Sequence, residues 1–354
     1  MTEPRADEPI RMEDYDYELP PELIAQEPIE PRDAARLMVI ERKTGTIQHR
    51  RFWEIGQFLN AGDLLVVNDS RVLPARLYGQ RATGGKVEIL LLHVGERLEE
   101  WEALARPARR LRPGEIITIF PREESTAEPQ PIRILENLGG GRVRVEFSRS
   151  LIDRLEAYGH VPLPPYIHQP LRDPERYQTV YAQHPGSVAA PTAGLHFTPR
   201  LLEQLQAQGV GLARVTLHVA LGTFKPVHVE DARQHEMHAE WYRVPSETLA
   251  AIRTAKASGH RVVAVGTTSA RTLESIAERI GETRDIAGWA SLYIYPGYQW
   301  RVVDALITNF HLPRSTLMLL VSSFAGRELI LRAYREAVAE RYRFYSFGDA
   351  MLIL

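Results

Sequence analysis

The sequence predicts an α/β main domain, with a distorted barrel-like or open and mostly parallel sheet, that carries an inserted small antiparallel β-barrel domain. From residue 149 onward, strand-like runs alternate with capped helical runs, which is the pattern of a parallel α/β core. Between residues 73 and 148 the signal is almost purely β, with short strand candidates separated by glycine-rich turns. A chain of 354 residues is long enough for two domains.

Before the insert, strands are predicted at 36–40, 46–52 and 64–67, with a hairpin turn at Lys43, Thr44 and Gly45. Residues 1–14 are expected to form a disordered tail because they offer little to bury. The predicted domains are therefore 15–72 with 149–354, and an insert at 73–148. Within the insert, strands are predicted at 87–93, 101–105, 115–120, 131–136 and 142–147.

After the insert, helix signals are clearest where caps flank an apolar periodicity. The helix predicted at 198–208 has Thr198 as its N-cap and Pro199 at its first position. The helix at 246–258 is expected to have Ser246 as its N-cap. Further helices are predicted at 148–159, 269–279, 315–324 and 327–342, and strands at 210–220, 261–266, 291–295 and 305–310.

Composition excludes several classes of protein. The net charge of −2 excludes a protein that binds nucleic acid by bulk charge alone, although a local basic face remains open. The chain has no cysteine, so disulfides, thiolate nucleophiles, cysteine-ligated zinc and iron–sulfur clusters are excluded. The N-terminus is acidic and lacks an apolar core, and the most apolar run, 317–321, is too short to span a bilayer. A cytoplasmic protein is expected.

The segment 158–198 is predicted to be a long, ordered loop region. Prolines suppress helix in YGHVPLPPYIHQPLRDPERYQTVY, and SVAAPTAGLHFT follows shortly after it. A loop of this length inside a compact domain is uncommon unless it carries function. Gly194, beside Thr192 and His196, predicts a tight turn at which the backbone approaches a ligand.

Polar residues at the ends of predicted strands are candidate ligand contacts, because α/β folds bind ligands there. Thr267, Thr268 and Ser269 lie in GTTSART, where a strand leads into a helix and an anion could bind the helix N-terminus; the alternative is a plain turn with Ser269 as N-cap. His218, before Gly222-Thr223-Phe224, is either a core histidine or a site residue. Asn309 and His311 follow another strand, and their alternative is a capping turn.

Three further clusters of polar residues each have one functional and one purely structural interpretation. His238 and Glu240, in QHEMHAEWY, suit acid–base or substrate-binding roles better than a metal site, because the HExxH spacing is absent; a plain surface segment is the alternative. Asp69 and Arg71, in NDSR, could orient ribose hydroxyls and an anion, or form a polar turn. The dense basic cluster, which either contacts phosphates or is a solvated loop, consists of Arg106, Arg109, Arg110 and Arg112.

The chain resembles the S-adenosylmethionine:tRNA ribosyltransferase-isomerases of queuosine biosynthesis. The resemblance runs nearly end to end, from YDYELPPELIAQEP to YSFGDAMLIL. It includes GDLLVVNDSRVLPARL, YGHVPLPPYI, SVAAPTAGLHFT, LHVALGTF, HEMHAEWY, VGTTSARTLES and LITNFHLPRSTLMLLVSSFAG. It implies an α/β domain with an inserted β-barrel, which agrees with the change of composition at residues 73–148.

The resemblance also implies the reaction. Such an enzyme joins the ribosyl unit of S-adenosylmethionine to a 7-aminomethyl-7-deazaguanine base in tRNA, giving epoxyqueuosine in the wobble position, adenine and methionine. S-adenosylmethionine is then a consumed substrate, no metal or other cofactor is required, and a monomer is expected. Proton transfers near neutral pH make histidines and carboxylates the catalytic candidates: His196, His218, His238, Glu240 and His311. The candidates for substrate binding are Asp69, Arg71, Thr192, Gly194, Thr267, Thr268, Ser269, Arg271 and Asn309.

Two rival classes remain at this stage. A methyltransferase would use the same donor, but the glycine-rich nucleotide loop expected of it is absent. A non-catalytic RNA-binding protein would explain the arginines but not the polar residues at strand ends. Release of free adenine would distinguish the first rival, and turnover of the donor the second.

Overall fold

The computed structural model of the protein describes residues 9–95, 97, 99–219, 229 and 231–354. These residues divide into two compact units. The first comprises the described parts of Met1–Ser70, Pro164–His184 and Ala190–Leu354, and the second comprises those of Arg71–Leu163 and Pro185–Ala189. The insert predicted at 73–148 lies within the second unit. Gly222, Thr223 and Phe224 lie outside the described residues.

The first unit is built on an open mixed sheet, whose nine strands within the described residues pair in an order far from their order in the chain. Parallel pairing joins β12, β3, β14 and β16 in the centre and β17 with β1 further along. From edge to edge the strands are β15 (Ile286–Ala290), β13 (Glu240–Val244), β12 (Gly211–Leu217), β3 (Leu64–Asn68), β14 (Val262–Val265), β16 (Ala305–Asn309), β17 (Ala350–Ile353), β1 (Arg36–Glu41) and β2 (Thr46–Arg51).

Central strands are short, apolar and buried along their whole length, as strands covered on both faces must be. β3, β14 and β17 read LLVVN, VVAV and AMLI, and every residue in them is buried. One face packs on helix α2 (Pro199–Ala207) in a core that includes Leu65, Val67 and Val263. Helix α4 (Gly266–Ser275) also contacts β3, β14 and β16. The remaining helices of this unit are α3 (Ser246–Ala257), α5 (Thr316–Ala325) and α6 (Arg327–Ala339).

The second unit contains a closed antiparallel barrel of six strands among the described residues. Its strands alternate buried and accessible positions, the period-two pattern of a surface with one buried face. In pairing order they are β10 (Arg142–Phe147), β7 (Glu100–Arg106), β6 (Lys86–Val94), β5 (Arg76–Arg81), β8 (Ile116–Ile119) and β9 (Gln130–Gly139), which returns to β10. The predicted fold class, an α/β domain with an inserted small β-barrel, is confirmed. The main sheet is mixed rather than mostly parallel.

Several predicted elements begin or end elsewhere. Helix α4 begins at Gly266, so Ser269 lies inside its first turn and is not its N-cap. Helix α3 begins at Ser246 itself, after Pro245. The strand predicted at 291–295 is wrong, because β15 ends at Ala290. The helix predicted at 148–159 is reduced to α1 (Arg149–Ile152) and a 3-10 turn.

The predicted tail is also too long. Ile10 and Met12 are buried, and a 3-10 turn spans Met12–Tyr15. The backbone oxygen of Ile10 accepts a hydrogen bond of 2.8 Å from the amide of Ala232, which holds the segment against the main domain. Packed structure therefore begins before residue 14.

Candidate functional site

A cavity of about 150 Å³ opens in the first unit at the ends of β14 and β16. Strand β14 ends at Val265 and leads directly into α4, so the first turn of this helix forms one wall through Gly266, Thr267 and Thr268. Strand β16 ends at Asn309, and the residues after it form a second wall. Parallel strands bring their carboxyl ends to the same edge, which explains why these segments meet.

The N-terminus of α4 has no side-chain cap. The residue before the helix is Val265, whose side chain cannot accept a hydrogen bond, so no side chain caps the amides of the first turn. The Oγ1 of Thr268 and the Oγ of Ser269 are buried and have no hydrogen-bond partner among the described residues. Gly266 adopts a φ of +88°, a conformation that favours glycine at this sharp strand-to-helix junction. Amides and hydroxyls at a helix N-terminus favour an anion.

The loop at Thr192 supplies a third wall of the cavity. Thr192 Oγ1 donates a hydrogen bond of 3.0 Å to Asn309 Oδ1, and Asn309 Nδ2 donates one of 3.1 Å to the backbone oxygen of Tyr345. All three residues line the cavity. The predicted substrate-binding residues Thr192, Thr267, Thr268 and Asn309 are therefore brought together.

His311 is the one candidate histidine that the structure places in the cavity wall. Its Nε2 lies 2.8 Å from Thr308 Oγ1, and its amide donates to Tyr334 Oη over 2.9 Å. Tyr17 Oη donates to its backbone oxygen. Burial lowers the pKa of His311 to about 3, so the ring is neutral at physiological pH.

Sequence reasoning missed several residues of the wall. Tyr345 and Arg314 both have positive φ values, +68° and +55°, and residues held in such conformations cluster at functional sites. The Oη of Tyr166 lies 2.7 Å from Ser346 Oγ, and the rings of Tyr166 and Tyr345 have centroids 4.7 Å apart. Tyr166 stands in the motif YGHVPLPPYI, so the proline-rich loop was a usable signal for it. The positive φ of Tyr345 leaves no corresponding signal in the sequence.

His196 lies away from this cavity and has a structural environment. Its ring nitrogens lie 3.0 Å from the backbone oxygen of Ala193 and 2.9 Å from that of Gly348. The ring stacks on Phe52 with centroids 5.0 Å apart, and burial lowers its pKa. Because both nitrogens are engaged by backbone, the geometry does not support the predicted acid–base role.

Gly194 makes a close approach, but to a tyrosine and not to a ligand site. A Cβ at this position would lie 2.0 Å from the Oη of Tyr181. The residue must therefore be glycine for Tyr181 to pack beneath the loop. The prediction of a backbone contact with a ligand at Gly194 is not supported by this geometry.

Glu240 and Arg271 form a buried ion pair. Arg271 Nη1 donates to Glu240 Oε2 over 2.6 Å, and both side chains are almost fully buried. Neither residue lines the cavity. The pair joins β13 to α4, so its geometry indicates a positioning role for the helix instead of contact with substrate.

Asp69 and His218 follow strands β3 and β12, respectively, and do not line the cavity. Asp69 Oδ1 accepts a hydrogen bond of 2.7 Å from Thr216 Oγ1, and its Oδ2 lies 3.7 Å from His184 Nε2. Burial raises the pKa of Asp69, although Thr216, His184 and Arg214 act in the opposite direction. The Nε2 of His218 is buried and has no hydrogen-bond partner among the described residues.

The remaining candidates lie on accessible segments. His238 is exposed in the loop before β13, and Arg71 is half-buried on strand β4 (Ser70–Val72) of the second unit. In the barrel unit, the four arginines of the basic cluster are exposed, and within the described part of the chain none of their guanidinium groups forms an ion pair, although the backbone amide of Arg112 donates to Glu115 Oε2 over 3.1 Å. The four arginines are Arg106, Arg109, Arg110 and Arg112.

Among the described residues, no group of three or more histidine, aspartate or glutamate side chains could hold a metal ion. No helix in the same part of the chain is long and apolar enough to cross a membrane.

With the cavity and its walls described, the chain can be compared with known proteins. The family model described as queuosine biosynthesis protein matches residues 12–353, so the chain belongs to this family. A relative from Moorella thermoacetica is 55% identical over 352 residues, which cover 98% of this chain and 100% of the relative. One from Symbiobacterium thermophilum is 54% identical over 346 residues, with the same coverage. Both are named S-adenosylmethionine:tRNA ribosyltransferase-isomerase.

A solved structure is also similar. The crystal structure of S-adenosylmethionine tRNA ribosyltransferase from Thermotoga maritima is 44% identical in sequence and superposes with a TM-score of 0.56. The match covers 96% of this chain and 100% of that one. The resemblance stated from the motifs is therefore confirmed at the level of the family.

Proposed function

We propose that the protein is a transferase that moves and isomerises the ribosyl moiety of S-adenosylmethionine onto the 7-aminomethyl-7-deazaguanine base of tRNA. The products are epoxyqueuosine-tRNA, adenine and methionine. Family membership and the names of relatives more than 50% identical support the reaction. The donor is assigned to this cavity because the first turn of α4 has no side-chain cap and lines it. The hydroxyl of Thr268, which has no hydrogen-bond partner among the described residues, lies in the same turn.

The donor's methionine carboxylate fits the N-terminus of α4. The amides of the first turn and the hydroxyls of Thr267 and Thr268 converge on this wall, and the helix dipole adds partial positive charge. No aspartate or glutamate lines the described wall to repel an anion. Tyr166 and Tyr345, which also line the cavity, offer aromatic surface that suits the adenine ring.

His311 is proposed to contact the leaving adenine. When the Thr308 hydroxyl donates to Nε2, the proton of the neutral ring resides on Nδ1. Nδ1 then donates to a ring nitrogen of adenine and stabilises its departure. The low pKa makes His311 a weak base, so this role suits it better than removal of the proton beside the sulfonium.

The chemistry requires two bonds of the ribose to break, one to adenine and one to sulfur. A bond forms to the aminomethyl nitrogen of the base, and a carbon–carbon bond closes the epoxide-bearing ring of the product. The attacking amine and the carbon beside the sulfonium each lose one proton; adenine takes up one of them, and the other is released. We keep His218 and Asp69 as candidates to remove the proton beside the sulfonium, because both are polar residues at strand ends whose environments shift their pKa values. A role for His238, and ribose contacts of Asp69 and Arg71, stay predictions.

The tRNA is proposed to contact the exposed arginines of the barrel unit through its phosphates. A cytoplasmic location and a monomeric state stay predictions. So does independence from metal ions and other cofactors. Turnover after exhaustive chelation, with tRNA folding controlled, tests the last point, and restoration of lost activity by one specific divalent ion would contradict it.

The reaction is tested directly by incubating the protein with S-adenosylmethionine and tRNA that carries the aminomethyl base. Mass spectrometry should show the ribosyl addition on the RNA together with free adenine and methionine. S-adenosylhomocysteine and a methyl addition would identify a methyltransferase instead. An intact donor, with tRNA bound, would identify an RNA-binding protein without this activity.

A further inference from the structure

A row of ring side chains crosses three neighbouring strands at one edge of the main sheet. Trp241 on β13 lies directly opposite Trp289 on β15 in the antiparallel register. His218, which follows β12, donates its backbone amide to the backbone oxygen of Trp241 over 2.9 Å. The rings of His218 and Trp241 have centroids 4.9 Å apart. The alternation of side chains along strands places all three rings on one face.

The face that carries the three rings is accessible to solvent at its outer end, on strand β15. Trp289 is 64% exposed, the highest value among the large hydrophobic side chains in the described part of the chain. Strand β15 is an edge strand, so no further described strand lies beyond Trp289. The opposite faces of β13 and β15 are buried, through Tyr242, Val244 and Ile286. An indole exposed to this degree, beside a second indole, indicates a surface that contacts a partner.

Polar and charged groups adjoin the row on the same face. Arg214, which is half-buried, and Thr216, which is buried and donates to Asp69, lie at alternate positions of β12, and Thr216 pairs with Arg243 in the register of β13. The Nε of Arg214 is buried and has no hydrogen-bond partner among the described residues. Arg214 is close enough to lower the pKa of Asp69 by its charge. The face therefore combines aromatic rings with Arg214, which forms no ion pair with any residue that the structure describes.

We propose that Trp241 and Trp289 form a stacking platform for unpaired bases of an RNA loop, with His218 packed against Trp241 at its inner end and Arg214 contacting the adjoining phosphate. The proposal rests on the proposed function, because it takes the partner to be tRNA and assigns the loop that presents the modified base to this face.

Chemistry favours RNA over a protein partner here. Single-stranded nucleic acids are held by aromatic rings that stack on bases and by cations that follow the backbone, and this face supplies both. Duplex RNA hides its base faces, so the platform discriminates a loop from a helix.

The test measures the affinity of the full protein for two RNAs, an unmodified anticodon stem–loop and a duplex of equal length. Trp289→Ala should weaken binding of the stem–loop by about 5- to 150-fold, as loss of one base–aromatic stack does, and leave binding of the duplex unchanged. Trp289→Phe should keep most of the affinity. Because Trp289 is mostly exposed, the alanine variant removes little core packing.

Trp53→Ala is the matched control, since Trp53 is 45% exposed and lies on the 3-10 helix Phe52–Gln57. It should not change either affinity. Equal stem–loop affinity of Trp289→Ala and wild type would overturn the platform, as would equal weakening of both RNAs or no preference of wild type for the loop. If the wild type prefers the loop through Trp289 but does not release adenine from the donor, the proposed reaction fails and the platform stands. If adenine is released and Trp289→Ala binds normally, the platform alone fails.

Discussion

Thr192 Oγ1 donates a hydrogen bond of 3.0 Å to Asn309 Oδ1, although 117 residues separate them in the chain. The bond ties the loop after the proline-rich segment to the carboxyl end of β16. Asn309 continues the link to Tyr345 through its Nδ2. Three segments that are distant in sequence are thus linked in the lining of one cavity, to which the first turn of α4 also contributes. Such preorganisation keeps the proposed donor site from depending on one loop alone.

Thr268→Ala should weaken binding of S-adenosylmethionine by about 1.5–3 kcal/mol, the range for a hydrogen bond to a charged group. Titration calorimetry with the donor measures this directly. Thr268→Ser keeps the hydroxyl and should bind nearly as well as wild type. Because the Oγ1 of Thr268 has no hydrogen-bond partner among the described residues, the alanine variant should not lose stability. Unchanged donor affinity, or a large loss of stability, would contradict the assignment.

His311 should make stability depend on pH. Its folded-state pKa is about 3 and its ordinary value is 6.5. Below pH 6.5 the unfolded chain binds a proton that the folded protein does not bind until the pH approaches 3, so the free energy of unfolding falls as pH falls through this window. At pH 5 the loss amounts to about 2 kcal/mol.

His311→Gln removes this contribution. Urea unfolding from pH 7.5 to 5 should show a steeper loss of stability in wild type than in the variant. Parallel curves would mean that the buried ring does not resist protonation. In the same variant, adenine release should slow while tRNA affinity is kept, because His311 is proposed to contact only the donor.

Replacing Arg109 and Arg110 with alanine should weaken tRNA binding and reduce its dependence on salt. Each lost phosphate contact lowers the slope of log K against log salt by roughly 1. The control replaces Arg142 and Arg144, which are also in the barrel unit but lie 3.2 Å from Glu102 and Glu136, respectively. Filter binding at several salt concentrations measures both. Equal slopes in the two variants would mean that the cluster is a solvated loop.

Local signals allowed much of the fold to be predicted. The Thr198 side chain accepts from the amide of Leu201, as its position before Pro199 indicates, and Ser315 does the same for Met318. Helix α4 begins three residues before its predicted start at residue 269, because Val265 and Gly266 carry no sequence signal of a helix cap. Strand β17 was not predicted, since its pairing with both β1 and β16 depends on contacts across the whole chain.

The site was predictable where it follows a strand. Thr267, Thr268, Asn309 and His311 each follow a buried apolar run, and parallel strands bring such positions together. His196 was a candidate because it is a polar residue in a motif, yet its ring nitrogens lie 3.0 and 2.9 Å from backbone oxygens and it does not line the cavity. A sequence motif does not tell which side of a loop a side chain occupies.

The ion pair of Glu240 and Arg271 either positions helix α4 or contacts the donor, and variants of the pair distinguish these two roles. Glu240→Leu or Arg271→Met alone should destabilise the protein by about 3–5 kcal/mol, because each leaves a charge buried without its partner. The double variant Glu240→Leu with Arg271→Met removes both charges and should recover most of that loss. Urea unfolding of the three variants measures the coupling.

Donor affinity then decides the role of the pair. If it only holds β13 against α4, the refolded double variant should bind S-adenosylmethionine within about tenfold of wild type, since Thr268 and the helix N-terminus remain in place. If Arg271 instead holds the donor's carboxylate, as the sequence suggested, the double variant should lose donor binding by the amount due to a buried charged hydrogen bond, about 1.5–3 kcal/mol, even when its stability is restored. The buried geometry of Arg271 Nη1, 2.6 Å from Glu240 Oε2, leads us to expect the first outcome.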